Sequence, residues 1–351
     1  MKALRKIHPG EGGVQLCEVD IPTPAADEIR VKVAYVGICG TDMHIMGDEY
    51  AANMPVTMGH EFTGIVDAVG AEVTDYQVGD PVTAMTVGYA CGKCRPCRQG
   101  NELKCMHRKS IGTHMDGAMA QYVVVKADRA FHIPEGVSMK TAALTEPVSC
   151  CARSVIEVSS VSAGDYVYVS GPGVMGQLVA QLARIAGAHV TVGGTDRDHE
   201  RLMLAKELGA DVVVDVTAED IEKRALEITH GEGFDVVYEC AGVMPSVNTC
   251  MQVLRKMGQY VQVCLFGKNI SIDLDGALVG EKHIVSSFAA DRSSFILTLR
   301  LLEANRLQLD SFISSIYPIE EWKKAVADTA NKVGYKILMC PNPEFYEKEQ
   351  A

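Results

Sequence analysis

Several things are missing from this 351-residue sequence, and each absence narrows what the chain can be. No 18 consecutive apolar residues occur, so no segment reads as a membrane-spanning helix. Basic charge is short: 33 Lys and Arg stand against 45 Asp and Glu, a net charge of −12, which repels phosphate backbones and anionic lipid surfaces. Nucleic acid and membrane are therefore excluded as expected partners. Behind the basic residues of MKALRKIHPGEGG there is no apolar stretch of the kind a secretory signal carries, and a cytoplasmic location is expected. Internal repeats, low-complexity tracts and long linkers are absent as well. A content of 47% hydrophobic and 22% charged residues excludes disorder, collagen and coiled coil, leaving an ordinary globular chain of two domains' length.

Cysteine is plentiful. Twelve cysteines in a chain expected to stay in a reducing compartment point to metal ligands, reactive thiols or buried filler in preference to a disulfide framework.

The texture of the chain changes near its middle. Residues 1–150 contain short β-like runs, such as Ile29–Val36, Phe62–Val69 and Gln121–Val125, broken by Gly, Pro and Asp. From Tyr166 on, short apolar strands alternate with helical stretches. Strands are expected at Tyr166–Ser170, Val190–Gly193, Val212–Asp215, Val236–Cys240, Tyr260–Leu265 and Ile284–Phe288, and helices at Val174–Ala186, His199–Leu208, Ile221–Thr229 and Ser246–Lys256. Six such strands with helical crossovers describe a doubly wound parallel sheet over residues 151–290. The fold class is α/β, a mostly-β domain followed by a dinucleotide-type domain. Helices at Ser294–Asn305 and Ile319–Asn331 and a strand at Tyr335–Met339 have no place in a completed sheet, so residues 291–351 are expected to return to the first domain.

Three motifs carry chemistry. Cys91, Cys94, Cys97 and Cys105 lie in CGKCRPCRQGNELKC, within a lobe of about residues 88–108. Four thiolates that close in sequence surround one tetrahedral Zn²⁺ and leave no position for water, which makes a structural site. The spacing differs from that of the common ferredoxin clusters. Next, CGTDMH places Cys39, Thr41 and His44 together, and GHE follows with His60 and Glu61. Thiolate, imidazole and carboxylate are ligand types that Zn²⁺ accepts, and three of them leave a fourth position open. Adjacent residues of an extended strand point to opposite sides, so His60 and Glu61 reach one ion only if the backbone turns, and Gly59 supplies that freedom. Finally, Gly171, Gly173 and Gly176, with Val174 and Met175 between, follow an apolar strand and open a helix, the context in which such glycines admit a dinucleotide pyrophosphate. After the second strand come Gly194, Thr195, Asp196, Arg197, Asp198 and Arg201. Asp196 suits the bare ribose of NAD, the hydroxyl and guanidiniums suit the 2′-phosphate of NADP, and Asp198 suits a helix cap. The choice between NAD and NADP stays open.

From about residue 1 to 345 these features resemble the zinc-dependent medium-chain dehydrogenase/reductase family. GHEFTGIVDAVGAEV matches its zinc signature, with Gly64, Gly70 and Val73 in place, and LTEPVSCC puts Glu146 where ethanol-type members carry a second cysteine ligand. That replacement resembles the polyol dehydrogenase branch. HRKSIGTHMDGAMAQYVVV, GADVVVDV, QYVQVCLFGKNISIDLD and NPEFYEKEQ look most like polyol-phosphate members. The resemblance implies a GroES-like catalytic domain, zinc at both a catalytic and a structural site, and NAD or NADP. It implies Cys39, His60 and Glu61 around the catalytic zinc, with Glu146 bound directly or through a water and Glu61 labile. It further implies that Thr41 and His44 pass the alcohol's proton to solvent, and that a small polyol or sugar-phosphate alcohol is the substrate, with threonine or butanediol oxidation as the alternative. A homodimer or homotetramer is expected, joined through the apolar edge at Ile284–Phe288. For a phosphorylated substrate, Arg108, Lys109, His114 and Arg292 are the candidate cations.

Overall fold

The computed structural model describes residues 1–350, with side chains through Tyr346. Two compact units result, one from Met1–Pro147 together with the chain from Ala290 on, the other from Val148–Ala289.

In the first unit β1 (Lys2–Lys6), β2 (Val14–Glu18) and, after β3 (Glu28–Gly37) and α1 (Gly40–Met46), β4 (Val56–Thr57) make a small sheet in the order β2-β1-β4. β5 (Glu61–Val69), β6 (Pro81–Ala84), β9 (Tyr122–Lys126) and β10 (Ala130–His132) join β3 in the main sheet, while β7 (Val87–Tyr89) and β8 (Lys109–Ser110) pair at the root of the cysteine loop. The cysteine loop itself contains α2 (Arg95–Arg98). α3 (Met139–Ala142) follows, and α4 (Thr145–Ala152), carrying Glu146 at its second position, begins in this unit and continues into the second. Strand β3 is the axis of this unit. It reads EIRVKVAYVG, and the alternation buries Ile29, Val31 and Val33 together with Phe62, Val66 and Val82 of its neighbours.

The second unit is a six-stranded parallel sheet in the order β13-β12-β11-β14-β15-β16, formed by β11 (Tyr166–Ser170), β12 (His189–Gly194), β13 (Val212–Asp215), β14 (Phe234–Glu239), β15 (Leu254–Gln262) and β16 (His283–Ser286). The crossovers are α5 (Val174–Ile185), α6 (His199–Glu207), α7 (Ile221–Ile228), α8 (Met244–Val253) and α9 (Leu274–Val279). The order reverses between β11 and β14, the switch point at which such sheets hold ligands. Several boundaries shift from expectation: the strands expected at Val236–Cys240 and Ile284–Phe288 run Phe234–Glu239 and His283–Ser286, and the largest change is at β15, expected at Tyr260–Leu265. The expected helix Ser246–Lys256 ends at Val253, and β15 begins at once, because the chain bulges between Leu254 and Gln259, where Met257 takes a φ of 60°.

From Ala290 the chain forms α10 (Arg292–Glu303), β17 (Ile313–Pro318), α11 (Trp322–Ala330), β18 (Lys336–Cys340) and α12 (Pro343–Gln350). β18 pairs antiparallel with β3, Met339 opposite Val36, and β17 pairs parallel with β18. Periodicity alone marks neither β17, whose ISSIYP lacks clean alternation and is only half buried, nor α12. No described helix is long and apolar enough to cross a membrane.

Candidate functional site

The first ligand set is assembled by the register of β3 and β5. Gly37, at the end of β3, stands opposite Glu61, at the start of β5, so Cys39 two residues on meets the beginning of the neighbouring strand. Gly59 has a φ of 88°, and a Cβ there would lie 2.6 Å from Met119 Cγ, so this position accepts only glycine. The turn brings His60 and Glu61 to one point: the ligand atoms of Cys39, His60 and Glu61 all lie within 4.8 Å of one another, with His60 and Glu61 buried. Glu146 is buried too and close enough to His60 to favour its imidazolium, but its carboxylate is not a member of that close group. Glu146 reaches the neighbourhood of His60 from α4, not from the β3–β5 junction that brings the other three together.

Two groups without an expected role complete the surroundings. Asp42 is fully buried in α1; its carboxylate accepts from Cys39 N at 2.9 Å and Gly59 N at 3.3 Å, and it lies 3.9 Å from His60 Nδ1. Lys336, in the entirely buried strand KILMC, forms an ion pair with Glu61 and donates to Ile38 O at 2.9 Å. Burial by itself would lift the Glu61 carboxyl, but the ammonium of Lys336 and the imidazole of His60 hold it below its ordinary range. Burial likewise opposes the charge on Lys336, and Glu61 and Cys39 outweigh it. A lysine inside an apolar strand is the sequence signal for this pair, but nothing local names its partner. Thr41 and His44 lie on α1, with His44 Nδ1 2.6 Å from Glu49 Oε2.

The second set is local. The thiols of Cys91, Cys94, Cys97 and Cys105 lie within 4.8 Å of one another. Backbone donors point at the sulfurs: Cys91 N to Cys105 Sγ at 3.2 Å, Cys94 N to Cys91 Sγ at 3.4 Å and His107 N to Cys105 Sγ at 3.3 Å. Backbone N–H groups of Cys97 and Met106 pull the Cys94 thiol down to about 6, whereas burial and the neighbouring sulfurs push Cys97 up to about 12. Four sulfurs at this spacing ionise together only around a cation, and the donor set fits Zn²⁺. The same fit holds for Cys39, His60 and Glu61, one donor of each type that a catalytic zinc accepts.

In the other unit, Gly171 has a φ of 98° and its N–H bonds to Gly193 O at 2.9 Å, while a Cβ on Gly173 would meet nothing within 4 Å. Space is thus left above the N-terminus of α5, with Val174, Met175 and Gly176 in its first turn. Fully buried Gln177 holds the turn by donating to Pro172 O at 3.3 Å and Arg201 O at 2.7 Å. β12 ends at Gly194. Asp198 is occupied by Thr195, accepting from its N at 3.0 Å and Oγ1 at 2.8 Å, whereas Asp196 and Arg197 are exposed. Among the cations considered for a phosphate, Arg292 donates to Asp128 O and stands over the Phe131 ring, Lys109 stands over Tyr89, and His114 Nδ1 accepts from Ser110 N at 3.3 Å.

A β-domain carrying an open ligand set and a four-cysteine loop, with a doubly wound sheet behind a glycine-rich turn, defines a class. Residues 25–135 match the alcohol dehydrogenase GroES-like domain and residues 174–304 the zinc-binding dehydrogenase family, and the chain belongs to this family of zinc-type alcohol and polyol dehydrogenases. It is 37% identical to a D-arabitol-phosphate dehydrogenase of Enterococcus avium over 98% of each chain. It is also 37% identical to a sorbitol dehydrogenase of Halalkalibacterium halodurans, over 97% of this chain and 99% of that one. A zinc-binding dehydrogenase from Sinorhizobium meliloti 1021, crystallised with NADP, superposes with a TM-score of 0.89 at 33% identity, covering 97% of this chain and 99% of that one.

Proposed function

We propose that this dehydrogenase oxidises a secondary hydroxyl of a polyol or polyol phosphate to the corresponding ketose, with NAD or NADP as acceptor. The observation that carries the reading is the close group of Cys39, His60 and Glu61 with the buried carboxylate of Glu146 near it. A carboxylate at that position makes the surroundings more anionic and more hydrogen-bonding than a second thiolate would, which suits a substrate with several hydroxyls. The names of the relatives from Enterococcus avium and Halalkalibacterium halodurans support the same substrate class.

When bound, zinc would supply polarisation of the alcohol oxygen and the nicotinamide would supply the hydride acceptor. The chain's own residues do the rest. Cys39, His60 and Glu61 hold the catalytic ion, and Lys336 balances the charge of Glu61. Asp42 fixes the start of α1 against Gly59, while Thr41 and His44 carry the alcohol's proton outward. Cys91, Cys94, Cys97 and Cys105 hold the structural ion. Gly171, Gly173 and Gly176 with the first turn of α5 receive the pyrophosphate, and Gly194, Thr195, Asp196, Arg197 and Arg201 form the ribose end. With Asp198 taken up by Thr195, Asp196 is the carboxylate left to meet a ribose diol. A homodimer is the proposed assembly, sheet edge to sheet edge: β16 is a terminal strand, and Leu274, Leu278, Val279 and Ile284 are exposed around it. Pairing of two dimers would give the tetramer.

The test is a panel of arabitol, sorbitol and galactitol, their phosphates, threonine and 2,3-butanediol, each with NAD and with NADP. A polyol or its phosphate should give the highest kcat/KM. A tenfold advantage for threonine or butanediol, about 1.4 kcal/mol in transition-state discrimination, would overturn the polyol reading.

A further inference from the structure

Beyond the metal ligands, the end of α1 carries a polar arrangement of its own. The helix closes at Gly47, Asp48 takes a left-handed φ of 60°, and the N–H groups of Glu49 and Tyr50 both return to His44 O, at 2.8 and 3.2 Å. This tight turn swings the Glu49 side chain back onto the imidazole, Oε2 to Nδ1 at 2.6 Å. The opposite side of the turn is clamped. Asp48 accepts from Gly10 N at 2.7 Å and pairs with Lys6 Nζ at 2.7 Å, and the same Nζ donates to Met46 O at 3.0 Å. Lys6 is fully buried. A buried ammonium with two partners thus fixes a surface turn whose next side chain meets His44.

We propose that Glu49 is a positioning residue for His44: it accepts the Nδ1–H, so that Nε2 is the bare nitrogen that takes the proton coming from the Thr41 side. This rests on the reading of His44 as a carrier of the alcohol's proton. An ionised carboxylate is acceptor-only, so a short contact with a neutral imidazole places the single ring hydrogen on Nδ1 and leaves the lone pair on Nε2. Without that partner the hydrogen is free to sit on either nitrogen, and the fraction carrying it on Nε2 cannot accept a proton there. Once Nε2 takes the proton, the imidazolium lies against a carboxylate, and it returns to the starting tautomer by releasing the Nε2 proton to water while Nδ1–H stays bonded to Glu49. Exposure fits release to water, because the His44 side chain is 30% exposed. The other charged groups nearby face elsewhere. Asp48 is turned to Lys6 and Gly10 with His8 beside it, and Asp42 is turned inward to Cys39 and Gly59.

The experiment has two readouts on wild type, Glu49→Ala, Glu49→Gln and His44→Ala. The first is the nitrogen chemical shifts of ¹⁵N-histidine-labelled protein without cofactor, above the pH at which His44 is charged. Wild type and Glu49→Gln, whose amide oxygen still accepts, should show His44 protonated on Nδ1, and Glu49→Ala should show a mixture. The second is turnover of the preferred substrate from the panel in dilute buffer. Glu49→Ala should lower kcat on the order of tenfold, with imidazole buffer restoring most of the loss, while Glu49→Gln stays within about twofold of wild type. An unchanged melting temperature in Glu49→Ala separates this from a folding defect. Wild-type His44 protonated on Nε2 overturns the proposal, and so does Glu49→Ala behaving as wild type while His44→Ala loses turnover. If His44→Ala itself turns over like wild type, the proton role of His44 falls, and the Glu49 assignment with it.

Discussion

The two ligand sets of this chain are built in opposite ways. Cys91, Cys94, Cys97 and Cys105 lie on one loop, and their sulfurs are organised by backbone N–H groups of the same loop. A long-range tie is the ion pair of buried Arg129 with Glu102. Cys39, His60 and Glu61 come from two different strand ends, and the charge that balances them arrives on Lys336, near the far end of the chain. The first set is a local object that needs only its spacing. The second exists only when β3, β5 and β18 are in register, because Gly37 must face Glu61 and Val36 must face Met339. Spacing can therefore identify a closed site outright, while an open site of scattered ligands depends on the sheet.

The sharpest way to break this comparison is to remove one sulfur from each set. Cys39→Ser should abolish turnover and leave the melting temperature and the loop metal nearly unchanged. Cys97→Ser should lower the melting temperature and the metal content by one ion per chain, since a structural ion contributes folding free energy directly. Metal analysis and thermal melts of both variants check the pair, and an active Cys39→Ser enzyme would end the catalytic assignment.

A smaller effect is expected at the junction of distant strands. Lys336→Met leaves the Glu61 carboxylate buried beside an apolar chain, and breaking a buried ion pair by removing one partner typically destabilises by about 3–5 kcal/mol. Denaturant unfolding of metal-free protein should show a loss of that order, and a loss below about 1 kcal/mol would mean that Lys336 does not hold the site together.

The smallest effect belongs to the tie of the cysteine loop. Arg129 holds the Glu102 carboxyl below its ordinary value of 4.5. A depressed carboxylate stabilises the fold above the unfolded value and loses that contribution as pH falls through the lower folded value. The contribution should thus be present at neutral pH and fade below about pH 4.5. Glu102 is more than a third exposed, so solvent screening limits it to about 0.5 kcal/mol. Glu102→Gln should be slightly less stable than wild type at pH 7 and indistinguishable from it at the acid end, as urea midpoints at several pH values would show.

Much of the fold is legible in the sequence. Strands β11 and β13 begin and end where the apolar runs do, because both are bounded by turn residues. The expected helix Ser246–Lys256 overran its true end because Leu254, Arg255 and Lys256 continue a helical pattern, while pairing with Phe234 draws Leu254 into the sheet. Strand β17 escaped notice because its partner β18 supplies the pairing that its own residues do not announce. At the site, Cys39, His60 and Glu61 stood out by residue type, and Gly59 was marked as the turn between the strands. Asp42 sat inside the same motif without a visible role, because its partners Cys39 N and Gly59 N are defined by the turn of α1 against β5.

By itself the sequence determined the family, the four-cysteine loop, the glycine-rich turn and the two short motifs, CGTDMH and GHE, that carry the proposed ligands Cys39, His60 and Glu61. Which charges surround those ligands was decided only by tertiary structure. Lys336 beside Glu61, Glu146 near His60, and Glu49 folded onto His44 depend on strand register, helix placement and one left-handed turn. The reason is physical. Ligand chemistry is a property of a side chain, whereas electrostatic surroundings are a property of everything packed within a few ångströms of it, and the chain has to fold before those neighbours exist.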